Sequence, residues 1–205
     1  ASDRTPAHRA VTPEGVAWEL AAARARSLPA AMMESARAIM RGPDWPAAVL
    51  VPIVRDGDRA LILMTRRADH LRHHPGQVSF PGGRMHAGDT DLLATALRET
   101  EEELGIGATR IEVVGRLDVC LTGTGFAVTP FVALIDDLPP LVPDPGEVGA
   151  VFTLPLDPPC IFREMRREAM TTPRGRRDFW VMDHGEHRIW GATARMLRDL
   201  VERLV

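Results

Sequence analysis

Three glutamates, Glu99, Glu102 and Glu103, fall within five consecutive positions. On a helix of 3.6 residues per turn, side chains three and four apart share about a quarter of the circumference. Carboxylates at that spacing repel by roughly 0.2–0.5 kcal/mol per pair in water, and the repulsion grows where water is scarce. A hard cation reverses the sign. Taken alone, such a stripe is most simply a solvated helix face, so its neighbours decide how it is read. Leu93, Leu97, Thr100 and Leu104 recur on an adjoining face and are predicted to bury the helix, leaving the carboxylates at the edge of the packed surface. Upstream, Gly82 and Gly83 let the backbone approach without a side chain in the way. Mixed carboxylate and carbonyl oxygens suit Mg²⁺ or Mn²⁺ rather than zinc. Arg98 precedes the first glutamate and can orient a carboxylate through a charge-assisted pair.

Other residues could act beside this stripe. Arg67 and Arg72 stand in a polar segment where guanidinium groups can fork onto phosphates, or serve as ordinary surface charge. His73 and His74 can touch phosphate or move protons, but no cysteine or histidine elsewhere completes a zinc site. Phe80 suits the core as well as substrate contact. Glu147, after a Pro-rich stretch, is a candidate base or extra ligand. Cys120 and Cys160 read as inert thiols.

The elements that must position these groups follow from patterning. The glutamate helix is predicted over Asp91 to Leu104, stopped by Gly105. Ala47 to Val54 and Ala60 to Thr65 form a hairpin about Asp56, Gly57 and Asp58, and the loop from Arg66 to Val78 ends in a sharp turn at Pro81, Gly82 and Gly83. Further strands are predicted at Ile111 to Val119, Phe126 to Ile135 and Val148 to Leu154, with a short one at Phe179 to Met182. Leu138 to Pro145 is a long loop, and Gly191 to Val205 a closing helix. Thr12 to Arg41 reads as two short helices broken near Pro29, so residues 1–45 are expected as a helical extension packed on a domain of residues 46–205. The fold class is α/β (α+β), a mixed sheet between helices.

The chain has 205 residues, 45% of them hydrophobic, enough for a sizeable core. Its net charge of −3 and 5% aromatic content give no basic stripe interleaved with aromatics, so no nucleic-acid partner is expected. No apolar run has the roughly 18 residues a membrane span needs. Two distant cysteines fit a reducing, cytoplasmic setting.

The stretch from Gly83 to Ile106 resembles the Nudix box. Arg98, Glu99, Thr100, Glu101, Glu102, Glu103, Leu104, Gly105 and Ile106 match its second half in register. Its first half departs: Asp89 stands where the pattern has Glu, and eight residues instead of seven separate it from Arg98. Upstream, Leu63 to Ala68, Arg72, Gly76 and Phe80-Pro81-Gly82-Gly83 resemble the signature of the coenzyme A pyrophosphatase subgroup. The resemblance implies a Nudix-type mixed sheet between helices, with Glu99 and Glu103 as principal ligands of Mg²⁺ or Mn²⁺. Glu102 and the Gly83 carbonyl would assist. It further implies hydrolysis of coenzyme A or its acyl derivatives to adenosine 3′,5′-bisphosphate and (acyl-)4′-phosphopantetheine, with Arg67, Arg72, His74 and Phe80 toward substrate, and a homodimer. ADP-ribose, a nucleotide sugar or a capped RNA are alternative substrates. A silent nucleotide-binding regulator is a third reading, from which the three retained glutamates argue away.

Overall fold

A computed structural model describes residues 16–28, 45–172 and 175–205. The apolar, β-branched runs on either side of Gly57 form the long strands β1 (Trp45–Asp56) and β2 (Arg59–Arg67), paired antiparallel from Ile53↔Ile62 to Asp56↔Arg59. The other edge of β1 is filled by β7 (Phe126–Ile135), parallel over Trp45↔Phe126 to Val54↔Ile135. Beyond Ile62, β2 diverges from β1 and carries β3 (Val78–Ser79) and β8 (Val148–Pro155) on its two edges. The edge of β1 so vacated is taken by β4 (Gly82–Arg84), through Ala47↔Arg84, Ala48↔Gly83 and Val49↔Gly82. The sheet is thus split between β3 and β4. On the far side of β7 lie β5 (Glu112–Arg116) and β6 (Cys120–Leu121).

Helices cover both faces. Ala48, Leu50, Phe131 and Ala133 pack one face against Leu92 and Ala96 of α2 (Leu92–Leu104). Alternate residues of the same strands, including Val51, Ile53, Val132 and Leu134, face α1 (Trp18–Arg26) and α4 (Gly191–Arg203). That alternation is what a two-residue strand period between two layers requires. Each fully buried aliphatic side chain here contributes roughly 1.5–3 kcal/mol. A second antiparallel sheet joins β9 (Arg166–Thr172), β10 (Gly175–His184) and β11 (His187–Trp190), and α3 (Pro158–Glu164) leads into it.

The mixed sheet between helices agrees with expectation, and three details differ. Gly82 and Gly83 lie in a short strand rather than a bare turn. The strand expected from Ile111 to Val119 ends at Arg116, with Cys120 and Leu121 in a separate piece. The short strand at Phe179 is the centre of a three-stranded sheet. Of the N-terminal helices, α1 packs Trp18, Ala21, Ala22 and Ala25 on the core, whereas the second falls outside the described residues. No helix among the described residues is long and apolar enough to cross a membrane.

Candidate active site

The helix that carries the carboxylates is fixed at both ends by its sequence. Asp91 caps it by accepting a 2.8 Å hydrogen bond from the Ala94 amide. Gly105 ends it in the left-handed region at φ 73°. Its buried residues are Leu92, Thr95, Ala96, Glu99, Thr100, Glu103 and Leu104. Steps of three and four from Leu92 lead straight to Glu99 and Glu103, so these carboxylates continue the apolar stripe instead of edging it. Leu93 and Leu97, expected on the packing face, are only partly buried. Glu102 points outward and is exposed.

Two segments close on this end of α2. The first is β4. A Cβ added to Gly83 would lie 2.5 Å from Glu99 Oε1, so only glycine allows the strand to pass this close. The Gly82 amide donates to Glu103 Oε2 at 3.3 Å. The second is the Pro-rich loop between β7 and β8. The amides of Val142 and Asp144 donate to the Leu104 and Glu103 carbonyls at 2.9 and 3.0 Å, satisfying acceptors that the helix leaves open at its C-terminus. Asp144 Oδ1 then accepts from the Gly146 amide at 2.8 Å, and Glu147 follows at the start of β8.

The result is a cluster: one carboxylate oxygen from each of Glu99, Glu103 and Glu147, all within 4.8 Å of one another. Glu99 is 9% and Glu103 4% exposed, while Glu147 opens to solvent. Burial, then the charges of Glu99 and Glu147, push the Glu103 carboxyl up to about 8, against the Gly82 hydrogen bond and the Arg67 charge. Burial also raises Glu99, partly offset by Arg98. A donor set made of oxygen alone, with three carboxylates crowded together, fits a hard divalent cation.

Arg98 ties the cluster to the loop before α2. Its Nη1 donates to Glu99 Oε1 at 2.9 Å and to Glu102 Oε2 at 2.8 Å. Its Nε and Nη2 fork onto Asp89 at 2.9 and 3.0 Å, and Nη2 also reaches the Arg84 carbonyl at 3.2 Å. Asp89 further accepts from the His86 amide and the Thr95 hydroxyl. The Arg98 guanidinium holds the Asp89 carboxyl well below the usual carboxylate range. The inserted residue therefore leaves Asp89 anchoring the arginine that orients Glu99.

A cleft of about 450 Å³ opens from the carboxylates toward α4. Its charged walls are Arg67, Arg84, Glu99, Glu102 and Glu147, with His73 and His74 on the loop side. Phe80 reaches the cleft from the core, where it is 1% exposed. His74 holds φ at 55°, a left-handed conformation uncommon for a residue with a Cβ. Arg72 is exposed and does not line the cleft. Glu102 lines it but stands outside the group of three. Two features escaped sequence reasoning. Arg84 lies 4.6 Å over the Phe126 ring, and Ala192, Thr193 and Met196 of α4 form the far wall. The place of Arg84, directly after Gly83, was the signal for the first; nothing local marked the second.

The NUDIX domain description matches residues 44–169, which contain α2, β4 and Glu147. The chain belongs to the Nudix family. It is 40% identical over 154 residues to the uncharacterized Nudix hydrolase NudL of Salmonella paratyphi B, which covers 75% of this chain and 80% of that relative. Among solved structures it is similar to the MutT protein from Methanosarcina mazei Go1, at 18% identity and a TM-score of 0.49, over 80% of this chain and 94% of that one. The Nudix match stops at residue 169, so β10, β11 and α4 lie beyond the matched segment although α4 walls the cleft.

Proposed function

We propose that this Nudix protein hydrolyses the diphosphate bond of coenzyme A or an acyl-coenzyme A, with Mg²⁺ or Mn²⁺ held by Glu99, Glu103 and Glu147 and assisted by the Gly83 carbonyl and Glu102. The observation that carries the hydrolytic reading is the convergence of three carboxylates within 4.8 Å at the end of a cleft walled by Arg67 and Arg84. Neither arginine has a carboxylate partner among the described residues, in contrast to Arg66 and Arg98. Unpaired guanidinium groups beside a cation site suit the clustered negative charge of a diphosphate. The bound cation supplies neutralisation of that charge and Lewis acidity at the phosphoryl oxygens.

The chain's own groups then divide the work. Arg67 and Arg84 bind non-bridging oxygens and hold the reacting phosphorus beside the carboxylates. Glu147, the solvent-open member of the cluster, takes the proton of the attacking water. Arg98 keeps Glu99 in place from behind. Water adds to one phosphorus, the bridging P–O bond breaks, and the bridging oxygen leaves with the other phosphate. Two phosphomonoesters result.

Support for coenzyme A comes from the upstream residues that resemble the subgroup signature; of these, Arg67, Phe80, Gly82 and Gly83 line the cleft. The test is chromatographic product analysis with coenzyme A, ADP-ribose, diadenosine polyphosphates and nucleoside triphosphates, each with Mg²⁺ and with Mn²⁺. Adenosine 3′,5′-bisphosphate and 4′-phosphopantetheine should dominate. Faster turnover of ADP-ribose or of a triphosphate would move the assignment to another diphosphate.

A further inference from the structure

A second cavity, of about 310 Å³, lies on the other side of the 74–78 segment, and His74, Gln77 and Val78 line both it and the cleft of the carboxylates. The two cavities therefore adjoin across these three residues. Its outer wall is β11, and its size lies at the lower end of the range for small-ligand pockets. We propose that this cavity is the subsite for the phosphomonoester-bearing arm of the substrate, with Arg188 and Arg66 gripping the phosphate and Trp190 offering a face to the attached ring system. The proposal rests on the coenzyme A reading and assigns the residues that read its 3′-phosphate.

Three features of the cavity point to an anionic arm. Arg66 and Arg188 both line it, against the single carboxylate Glu186. Each guanidinium is steadied by a carboxylate that does not line the cavity. Arg66 is gripped by Asp69 at 2.6 and 3.1 Å, and Arg188 Nη2 by Glu168 at 2.6 Å. A guanidinium has five donors in a rigid fork, so one edge can be fixed by protein while others stay available for a phosphate. His187 lines the cavity as well. Its ring stacks on Phe152 with centroids 3.8 Å apart, and its Nδ1 is buried without a hydrogen-bond partner among the described residues.

Position within the chain strengthens the assignment. β11 lies beyond residue 169, where the match to the shared Nudix domain ends. Residues that select one diphosphate from others are expected in such additions, since the shared segment carries the common chemistry. Arg72, expected from the sequence to face substrate, lines neither cavity, so the arginines placed to read a 3′-phosphate in the second cavity are Arg66 and Arg188.

The test is kcat/KM for coenzyme A and for 3′-dephospho-coenzyme A in the wild type, Arg188→Ala and Glu168→Gln, with calorimetric binding of adenosine 3′,5′-bisphosphate and of AMP to the same proteins. Arg188→Ala should lower the preference for coenzyme A over its dephospho form by roughly ten- to a hundred-fold, the range for a lost charge-assisted contact. It should weaken the bisphosphate more than AMP. Glu168→Gln removes the charge that steadies Arg188 but keeps the guanidinium and an acceptor for it, so it should lower the preference far less than Arg188→Ala does. Equal loss in both variants would make Arg188 a structural residue and overturn the subsite, as would an unchanged preference in Arg188→Ala. If the wild type does not cleave coenzyme A, the substrate reading fails by itself. The subsite is then judged by binding: bisphosphate favoured over AMP and dependent on Arg188 upholds it, and no such preference overturns it.

Discussion

At the scale of single residues, Glu103 shows how burial prepares a side chain for a partner. Its carboxyl sits near 8 instead of 4.5 because water has been removed and two other carboxylates face it. The folded protein therefore keeps a proton that the unfolded chain gives up at 4.5, and between these values the folded state binds more protons. The stabilising contribution is complete below the lower value and is lost as pH rises through the upper one. Metal-free wild type should thus melt at progressively lower temperature between pH 5 and pH 8.5, and Glu103→Gln should flatten that fall. Calorimetric scans of both proteins without divalent cations would measure it; parallel slopes would show that Glu103 is not the titrating group. The glutamates were legible in the sequence because their spacing and neighbours are local facts. Glu147 was a candidate only by its place after the Pro-rich stretch, since its seat in the cluster depends on that loop docking against the end of α2.

Among the elements, the decisive contact is between β4 and α2. A methyl group at position 83 would meet the Glu99 carboxylate at 2.5–2.6 Å on three of its atoms. Gly83→Ala should therefore displace Glu99 and lower kcat by about a hundred-fold, the usual consequence of misplacing a reacting group by an ångström. Far-UV circular dichroism should stay native, and kcat within threefold of wild type would show that the approach is not needed. The hairpin β1–β2, the strand β7 and the helix α2 were readable from hydrophobic periodicity, because each buries a face that its own sequence declares. Other elements were not. β4 is two glycines and an arginine, with no β-branched residue, and exists because β1 offers it a free edge. β9 begins Arg166, Arg167, Glu168, and its cross-strand charges pair only once β10 and β11 are beside it. α3 opens on two prolines, which suit a first helical turn as readily as a loop.

Across the whole molecule, the cleft is a product of the split sheet and of the helix that spans its mouth. Thr193, in the first turn of α4, donates to the Val78 carbonyl at 3.0 Å and ties the closing helix to the strand beside the split. Thr193→Val keeps the shape but leaves that buried acceptor unpaired, which should cost about 1–3 kcal/mol in urea unfolding. A loss below 0.3 kcal/mol would mean that water or backbone movement replaces the bond. No local pattern foretold that α4 would wall the site, because the contact joins segments far apart in the chain. The measurement that bears most directly on the molecule's function is Mn²⁺ titration into metal-free protein, followed by electron paramagnetic resonance. Glu99, Glu103 and Glu147 are each changed to Gln, with the exposed Glu101 of the same helix as control. The expected result is saturable binding in the wild type and in Glu101→Gln, weakened at least tenfold in each of the other three. Equal affinity in all five proteins would contradict a metal centre at these carboxylates, and with it the hydrolytic role.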